Sequence, residues 1–191
     1  EFLNVSKENE DKMIEALIYS LTEIKEIKKI KILVENNNFT TLPNSNKKLP
    51  EYLDKNYGIN KIYNLDSLKE TSKTTIYYLS KNKDYYYYVP VTKVSNEKME
   101  RVEIIIKELK STPIYHTNLI SYLASSTSMT NYELLESTIS LSFNNYLIAN
   151  LKDDAVLEEV KYSIALSLRD TYGINEVIFS IPDMENTRIS V

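Results

Sequence analysis

Residues 153–181, DDAVLEEVKYSIALSLRDTYGINEVIFSI, carry the pattern that decides the fold. Leu157, Val160, Ile164 and Leu168 recur at three- and four-residue steps, one stripe of an amphipathic helix. Asp153 or Asp154 is placed to cap its start, where a carboxylate also suits the positive end of the helix dipole. Gly173 stops the helix, because a left-handed terminal residue without a Cβ avoids a steric clash. Val177–Ile181 then reads as a strand, Asp183–Asn186 as a turn, and Thr187–Val191 as a return strand.

Working outward, the same unit recurs at the other end. In residues 9–34, NEDKMIEALIYSLTEIKEIKKIKILV, the residues Met13, Leu17, Leu21 and Ile24 form a helical stripe. Asn9 suits the N-cap and Glu10 and Asp11 the first turn. Ile30–Val34 reads as a strand, Asn36-Asn37-Asn38 as a turn, and Phe39 to Leu42 as its return. Met13, Leu17, Leu21 and Ile27 fall opposite Val160, Ile164, Leu168 and Ile174, and Ile30–Val34 falls opposite Val177–Ile181. Glu1-Phe2-Leu3 falls opposite Asn145-Tyr146-Leu147 if three residues are inserted before the second helix. The chain thus reads as the tail of one repeat followed by one whole repeat. The identical Tyr57-Gly58-Ile59-Asn60 and Tyr172-Gly173-Ile174-Asn175 are out of register with this repeat and read as a shared helix-stop signal.

Between the two ends, Pro43, Pro50, several Asn and scattered Lys mark a connector, with a short helix from Pro50 to Asn56 stopped by Gly58. The expected divisions are therefore 1–43, the C-terminal part of a first unit; 44–72, a connector; and 73–191, a complete second unit. Thr75–Ser80 and Tyr85–Val94 are rich in β-branched and aromatic residues and read as a hairpin turning at Lys81–Asp84. A helix is expected over Asn96–Lys110, with Met99, Val102, Ile106 and Leu109 as its stripe. Asn118–Ala124 reads as a short helix, Ser125–Asn131 as a loop, and Glu133–Ser142 as a bent strand or a shortened hairpin.

Composition narrows function. The 191 residues are 42% hydrophobic and 26% charged, enough for a core and a solvated surface. A net charge of −4 gives no sign of phosphate-backbone binding, so no nucleic-acid partner is expected. No Cys and a single His exclude disulfides, a Cys nucleophile and a multi-His metal site. With Gly58 and Gly173 the only glycines, a Gly-rich phosphate loop cannot form. No apolar run approaches the ~20 residues of a membrane-spanning helix. No cofactor is expected.

Three segments carry a family resemblance. The first is Ile14 to Thr22 followed by Ile27 to Glu35; the second is Thr75-Ile76-Tyr77-Tyr78 with Tyr88 to Lys93; the third is Thr138 to Phe143 with Tyr146-Leu147. In type and order they resemble the helix and following strand, the opening hairpin, and the strand before the last helix of the GerMN domain, a family found in tandem in sporulation and germination proteins. The chain departs from the family pattern where Ser125-Ser126-Thr127-Ser128 replaces a Gly- and Pro-containing loop, and where the first copy lacks its opening hairpin and first helix. The resemblance implies an α/β fold of α+β type: two units similar to the ring-building motif of spore-channel proteins, with helices packed on one face of a small sheet and the first unit truncated. It implies a non-enzymatic structural or assembly factor that supports the channel complex between mother cell and forespore through protein–protein contacts. Its partners would be sporulation channel proteins or other envelope proteins, with a homo-oligomer or ring as one arrangement. It would act outside the cytoplasm, between the two membranes around the forespore, with any membrane attachment through an anchor outside this segment, as in lipoproteins. The family supplies no catalytic residues to carry over.

The candidate contact residues follow from exposure patterns. Strand alternation sends Tyr85 and Tyr87 to one face and Tyr86 and Tyr88 to the other, so one pair must lie off the core, where amphipathic aromatics favour a partner. Cross-strand aromatic pairing is the competing reading. Tyr86 and Tyr88 are the candidates, together with Lys161, Arg169, Glu103 and Lys107 as helix-surface charges that could steer a partner. The edges near Thr75–Ser80 and Phe39–Leu42 are candidate pairing edges. Lys25, Lys28, Lys29 and Lys31, interleaved with Glu23 and Glu26, read as a solvated helix end. His116 reads as a surface-loop residue, Asp153-Asp154 as caps, and Asp183 with Glu185 lacks the ligand spacing of an EF-hand. The Tyr run also supports a second class, an envelope binding module or sensor for glycan or peptide. A carboxylate-pair wall hydrolase is the third.

Overall fold

The computed structural model describes residues 5–67, 69–83, 85–111, 118–148 and 156–191. His116 and Asp153-Asp154 lie outside them. By internal contacts the chain divides into two units, Glu1–Lys61 and Ile62–Val191.

Among its described residues the first unit is one α-helix and a folded-back loop. Helix α1 (Lys7–Thr22) starts at Ser6, before the expected Asn9, and ends six residues short of Lys28. It buries Ile14, Ile18 and Tyr19 against Leu42, Leu49 and Leu53. This corrects the expected stripe: Leu17, Leu21 and Ile24 are exposed, and the buried face lies one residue, about 100°, round the helix. Strands β1 (Leu33–Val34) and β2 (Asn37–Asn38) form an exposed two-stranded ribbon, turning at Glu35 and Asn36, both at positive φ. The turn therefore falls one to two residues earlier than expected, and Ile30 pairs instead with Leu53. Phe39–Leu42 is not a free edge: Thr41 bridges Lys48 and Leu42 is fully buried.

Carboxylates on α1 organise the loop that sequence reading treats as a connector. Glu10 accepts hydrogen bonds from the backbone amides of Asn44 (2.8 Å) and Ser45 (2.7 Å). Glu15 accepts from the amide of Asn60 (2.8 Å) and from Lys61 Nζ (2.6 Å). Asp11 accepts from the Tyr57 hydroxyl and from Lys47 Nζ (2.6 Å). Residues 44–61 thus lie on α1, and the expected helix from Pro50 is reduced to a 3-10 turn, Lys55–Tyr57, capped by Asp54. Burial pushes the Glu10 and Asp11 carboxyls up, but the hydrogen bonds to them and, for Asp11, the nearby lysines outweigh it, so both lie below the usual carboxylate range.

Among the described residues the second unit holds two four-stranded sheets and two α-helices. Strands β4 (Ser72–Asn82) and β5 (Tyr85–Ser95) form the long hairpin, with Lys83 at positive φ in its turn. β3 (Ile62–Asn64) adds in parallel to the far end of β5, and β6 (Leu119–Ile120) adds to β4 opposite Leu79 and Ser80, so the sheet order is β3-β5-β4-β6. Leu119–Ile120 is a strand where a short helix is expected: one side of β4 beyond β5 accepts a neighbour there. The second sheet runs β10-β9-β8-β7, with β7 (Met129–Leu135), β8 (Thr138–Phe143), β9 (Glu176–Ser180) and β10 (Thr187–Ser190). The expected shortened hairpin is β7–β8, with Glu136 at positive φ. The β8–β9 pair is parallel, joined through helix α3 (Glu158–Tyr172).

Helix α2 (Arg101–Leu109) starts five residues later than expected. Asn96 is engaged elsewhere: its side chain donates to the carbonyls of Lys69 (2.6 Å) and Ser67 (3.0 Å) and accepts from the amide of Asp66 (3.0 Å). Met99 accordingly falls outside the helix and is exposed. Gly173 ends α3 at φ 69°, the left-handed stop read from sequence. Ile164, Leu168 and Ala165 of α3 join Ile76 and Tyr78 of β4, Val102 and Ile105 of α2, and Ile139, Leu141, Val177 and Phe179 of the second sheet in one core.

Helix α3 also closes the edge of β4. The Tyr77 amide donates to Ser167 Oγ at 2.8 Å, and the Tyr77 hydroxyl donates to Asp170 at 2.5 Å. Thr75–Ser80, a candidate pairing edge in the sequence, is therefore covered by β5 on one side and by α3 and β6 on the other. Pro90, directly opposite Tyr77, sits at a position from which β4 requires no amide donor.

Two outcomes are expected. Ser167→Ala removes a buried acceptor from the Tyr77 amide and should lower stability by about 1–3 kcal/mol in urea unfolding, with α3 helicity kept in the folded baseline. Because the folded carboxyls of Glu10 and Asp11 sit below their ordinary values of 4.5 and 3.8, their stabilisation is present above those values and fades as pH falls through the folded ones. The first unit should therefore lose stability progressively as pH falls below about 4.5. Hydrogen exchange of the α1 amides across that range checks it, with Glu10→Gln and Asp11→Asn flattening the profile.

Candidate interaction surface

The sheet geometry decides where each tyrosine of the run points. Tyr78 is paired with Val89 and Ile76 with Val91, and these face the core with Lys93. Lys93 Nζ reaches Glu108 of α2 at 2.7 Å and also Glu97, which places α2 on that side. Tyr85 and Tyr87 continue the same side past the end of the core and are exposed. Tyr87 accepts a hydrogen bond from Ser80 at 3.2 Å. Tyr86 and Tyr88 take the opposite side, as alternation requires.

On that opposite side the two tyrosines meet two others that the sequence did not single out. Tyr86 packs edge to face on Tyr122, centroids 6.3 Å apart, with hydroxyls 3.2 Å apart. Tyr88 lies 6.2 Å from Tyr162 of α3. Lys81 Nζ sits 5.4 Å from the centre of the Tyr86 ring. Tyr86 and Tyr122 are 41% and 42% exposed, whereas Tyr88 is half-buried. Burial, reinforced by Glu159 and Glu158, pushes the Tyr88 hydroxyl up to about 12. The hydrogen bond with Tyr86, then burial, raises Tyr122 as well. The surface is therefore a neutral aromatic platform with hydroxyl tips, bordered by Lys81 on one strand and by the acidic first turn of α3.

The backbone beside this platform is an edge. β3 pairs only with Lys93, Val94 and Ser95, so the stretch Tyr85–Val89 of β5 has a strand neighbour, β4, on one side only among the described residues. This segment takes the place of Thr75–Ser80 as the candidate pairing edge.

The charged candidates are scattered and mostly engaged. Glu103 closes a capping box on α2, accepting from the Glu100 amide at 3.1 Å. Lys107 is exposed and paired with Glu97 at 2.8 Å. Arg169, near the end of α3, reaches Asp170 at 3.1 Å, and Lys161 is half-buried on the same helix. None of these pairs joins the tyrosine platform. Tyr122 is out of reach of sequence reading because the pattern around it reads as a short helix. Tyr162 was legible only as a residue off the apolar stripe of α3.

Among the described residues no group of three or more His, Cys, Asp or Glu side chains could hold a metal ion. No helix among them is long and apolar enough to cross a membrane.

Comparison with known proteins adds two findings. The chain is 28% identical over 182 residues to the spore germination protein GerM of Bacillus subtilis (strain 168), covering 93% of this chain. It spans about half the length of that curated relative, 50%. Its fold matches the tandem GerMN domains of the sporulation protein GerM from Bacillus subtilis with a TM-score of 0.85, at 24% identity, covering 96% of this chain and 64% of that one. No family model matches the chain. The likeness to GerM read from the sequence thus extends over nearly the whole chain, and the fold is the mixed α/β fold of tandem GerMN domains.

Tyr86→Phe should lower the Tyr122 titration toward the ordinary tyrosine value, since it removes the hydroxyl hydrogen-bonded to Tyr122. NMR titration of ring-labelled tyrosine reads this directly, and an unchanged Tyr122 curve would mean the pair is not formed in solution.

Proposed function

We propose that this chain is a non-enzymatic assembly factor in endospore formation, supporting the channel complex between mother cell and forespore through protein–protein contacts. The reading is supported above all by its similarity to the spore germination protein GerM along almost its entire length. It acts outside the cytoplasm, between the two membranes around the forespore, held there by an anchor beyond this segment. The contact mechanism is edge and platform: the Tyr85–Val89 edge of β5 offers backbone groups to a neighbouring strand, and Tyr86 with Tyr122 supplies the apolar area beside it. Repetition of such modest contacts around a ring multiplies their effect.

A second reading is favoured by one observation. An exposed edge-to-face tyrosine pair with its hydroxyl tips bonded to each other at the surface also suits a glycan or an extended peptide, as in an envelope binding module.

Crosslinking of the tagged protein in its sporulating host, followed by mass spectrometry of the co-purified proteins, separates the two. Channel proteins should be recovered with the natural sequence and lost with the Tyr86→Ser, Tyr122→Ser pair. Recovery of wall glycan fragments with no channel component would replace assembly by the binding-module reading.

A further inference from the structure

Tyrosine is the one readily oxidised aromatic in this chain, and it is abundant. The sequence has 16 Tyr, no Trp and no Cys. A one-electron oxidant therefore meets neither a thiol nor an indole, the side chains that compete with a phenol for it. Without Cys the chain also has no disulfide with which to cross-link itself.

Two tyrosines are set apart by where they sit. Tyr86 of β5 and Tyr122 are 36 residues apart in the chain, yet their hydroxyls are 3.2 Å apart and their rings meet edge to face at 6.3 Å. Both are exposed, so an oxidant reaches either ring, and either side chain keeps room to turn about its χ angles. In a phenoxyl radical the ring carbons beside the hydroxyl carry much of the spin, and the short hydroxyl contact brings those carbons near each other. The other close pair lacks this access: Tyr88 and Tyr162 have ring centres 6.2 Å apart, but both are half-buried. Tyr87 is exposed with its hydroxyl bonded to Ser80. Tyr85 is the most exposed of the run and has no ring against it among the described residues.

We infer that Tyr86 and Tyr122 form a site of oxidative cross-linking, joined as dityrosine when a haem peroxidase and hydrogen peroxide act on the chain. Each phenol gives up one electron and one proton, which leaves two phenoxyl radicals. A carbon–carbon bond then forms between ring positions ortho to the two hydroxyls. The hydrogens on those carbons move to the oxygens and restore two phenols. The peroxide takes up the two electrons and two protons and leaves as two waters. The product ties the open end of the β4–β5 hairpin to the segment that follows β6. It restricts the unfolded chain, so the folded state gains stability. The site lies on the same platform as the assembly reading but does not rest on it, since the reaction needs no partner.

The purified chain, kept dilute, is treated with a haem peroxidase and limiting hydrogen peroxide. Dityrosine fluorescence should appear in the monomer band of a denaturing gel, with a mass lower by two hydrogens. Peptide mapping should find the fragment holding Tyr86 joined to the fragment holding Tyr122. Tyr86→Phe and Tyr122→Phe, which keep the rings, should each lose the monomer fluorescence, and Tyr85→Phe should keep it. The urea midpoint of the linked chain should lie above that of the unlinked one. Fluorescence confined to dimers and larger species would overturn the inference, and so would a monomer signal that survives Tyr122→Phe.

Discussion

One hydrogen bond stands at the centre of the second unit: the Tyr77 amide to Ser167 Oγ. A strand edge inside a core is untenable unless its amides find acceptors, because each buried, unsatisfied donor costs about 1–3 kcal/mol. A serine within a helix supplies such an acceptor without interrupting the helix, since its own proton satisfies a carbonyl one turn back. Once this contact is made, β4 is buried on both faces, α3 lies against the hairpin, and the parallel β8–β9 pair on either side of α3 in the chain completes the same core. Small residues at 163, 165 and 167 allow the close approach.

The first unit meets the same problem by different means. Among its described residues it has no sheet beyond a short two-stranded ribbon, so the amides of its long loop turn to carboxylates. Glu10 and Glu15 are almost fully buried, yet both are saturated by backbone amides or by Lys61. A buried carboxylate with several donors is a strong organiser of irregular chain, and it explains how a Pro- and Asn-rich stretch with no periodicity holds one shape.

This difference sets what could be read from the residues. The helix ending at Gly173 and the long hairpin were legible because each rests on local chemistry: a left-handed stop, and β-branched and aromatic runs. The buried side of α1 was not. Ile14 with Ile18 and Leu17 with Leu21 are equally apolar stripes, and only the tertiary partner chooses between them. The role of residues 44–61 was hidden because carboxylates on a helix surface ordinarily mean solvent. Of the candidate surface, the Tyr86 and Tyr88 side followed from alternation, while Tyr122 and Tyr162 came from distant chain that no local pattern ties to β5. Glu103 looked like a steering charge because a capping box and a solvated acid differ by a backbone geometry that pattern alone does not show.

The Tyr77–Ser167 bond also has a consequence in time, for its two halves are 90 residues apart in the chain. At a synthesis rate of about 5–20 residues per second, Tyr77 waits roughly 5–18 s for the helix that covers it. Throughout that interval the growing chain displays a long strand edge, carrying Ile76, Tyr77, Tyr78 and Leu79, of the kind that recruits other strands. A nascent chain of this protein has a window of vulnerability that the finished one lacks, closed at the moment α3 docks. The order of elements along the gene, and not only their final packing, therefore sets how long the hairpin is open to pairing with the wrong neighbour.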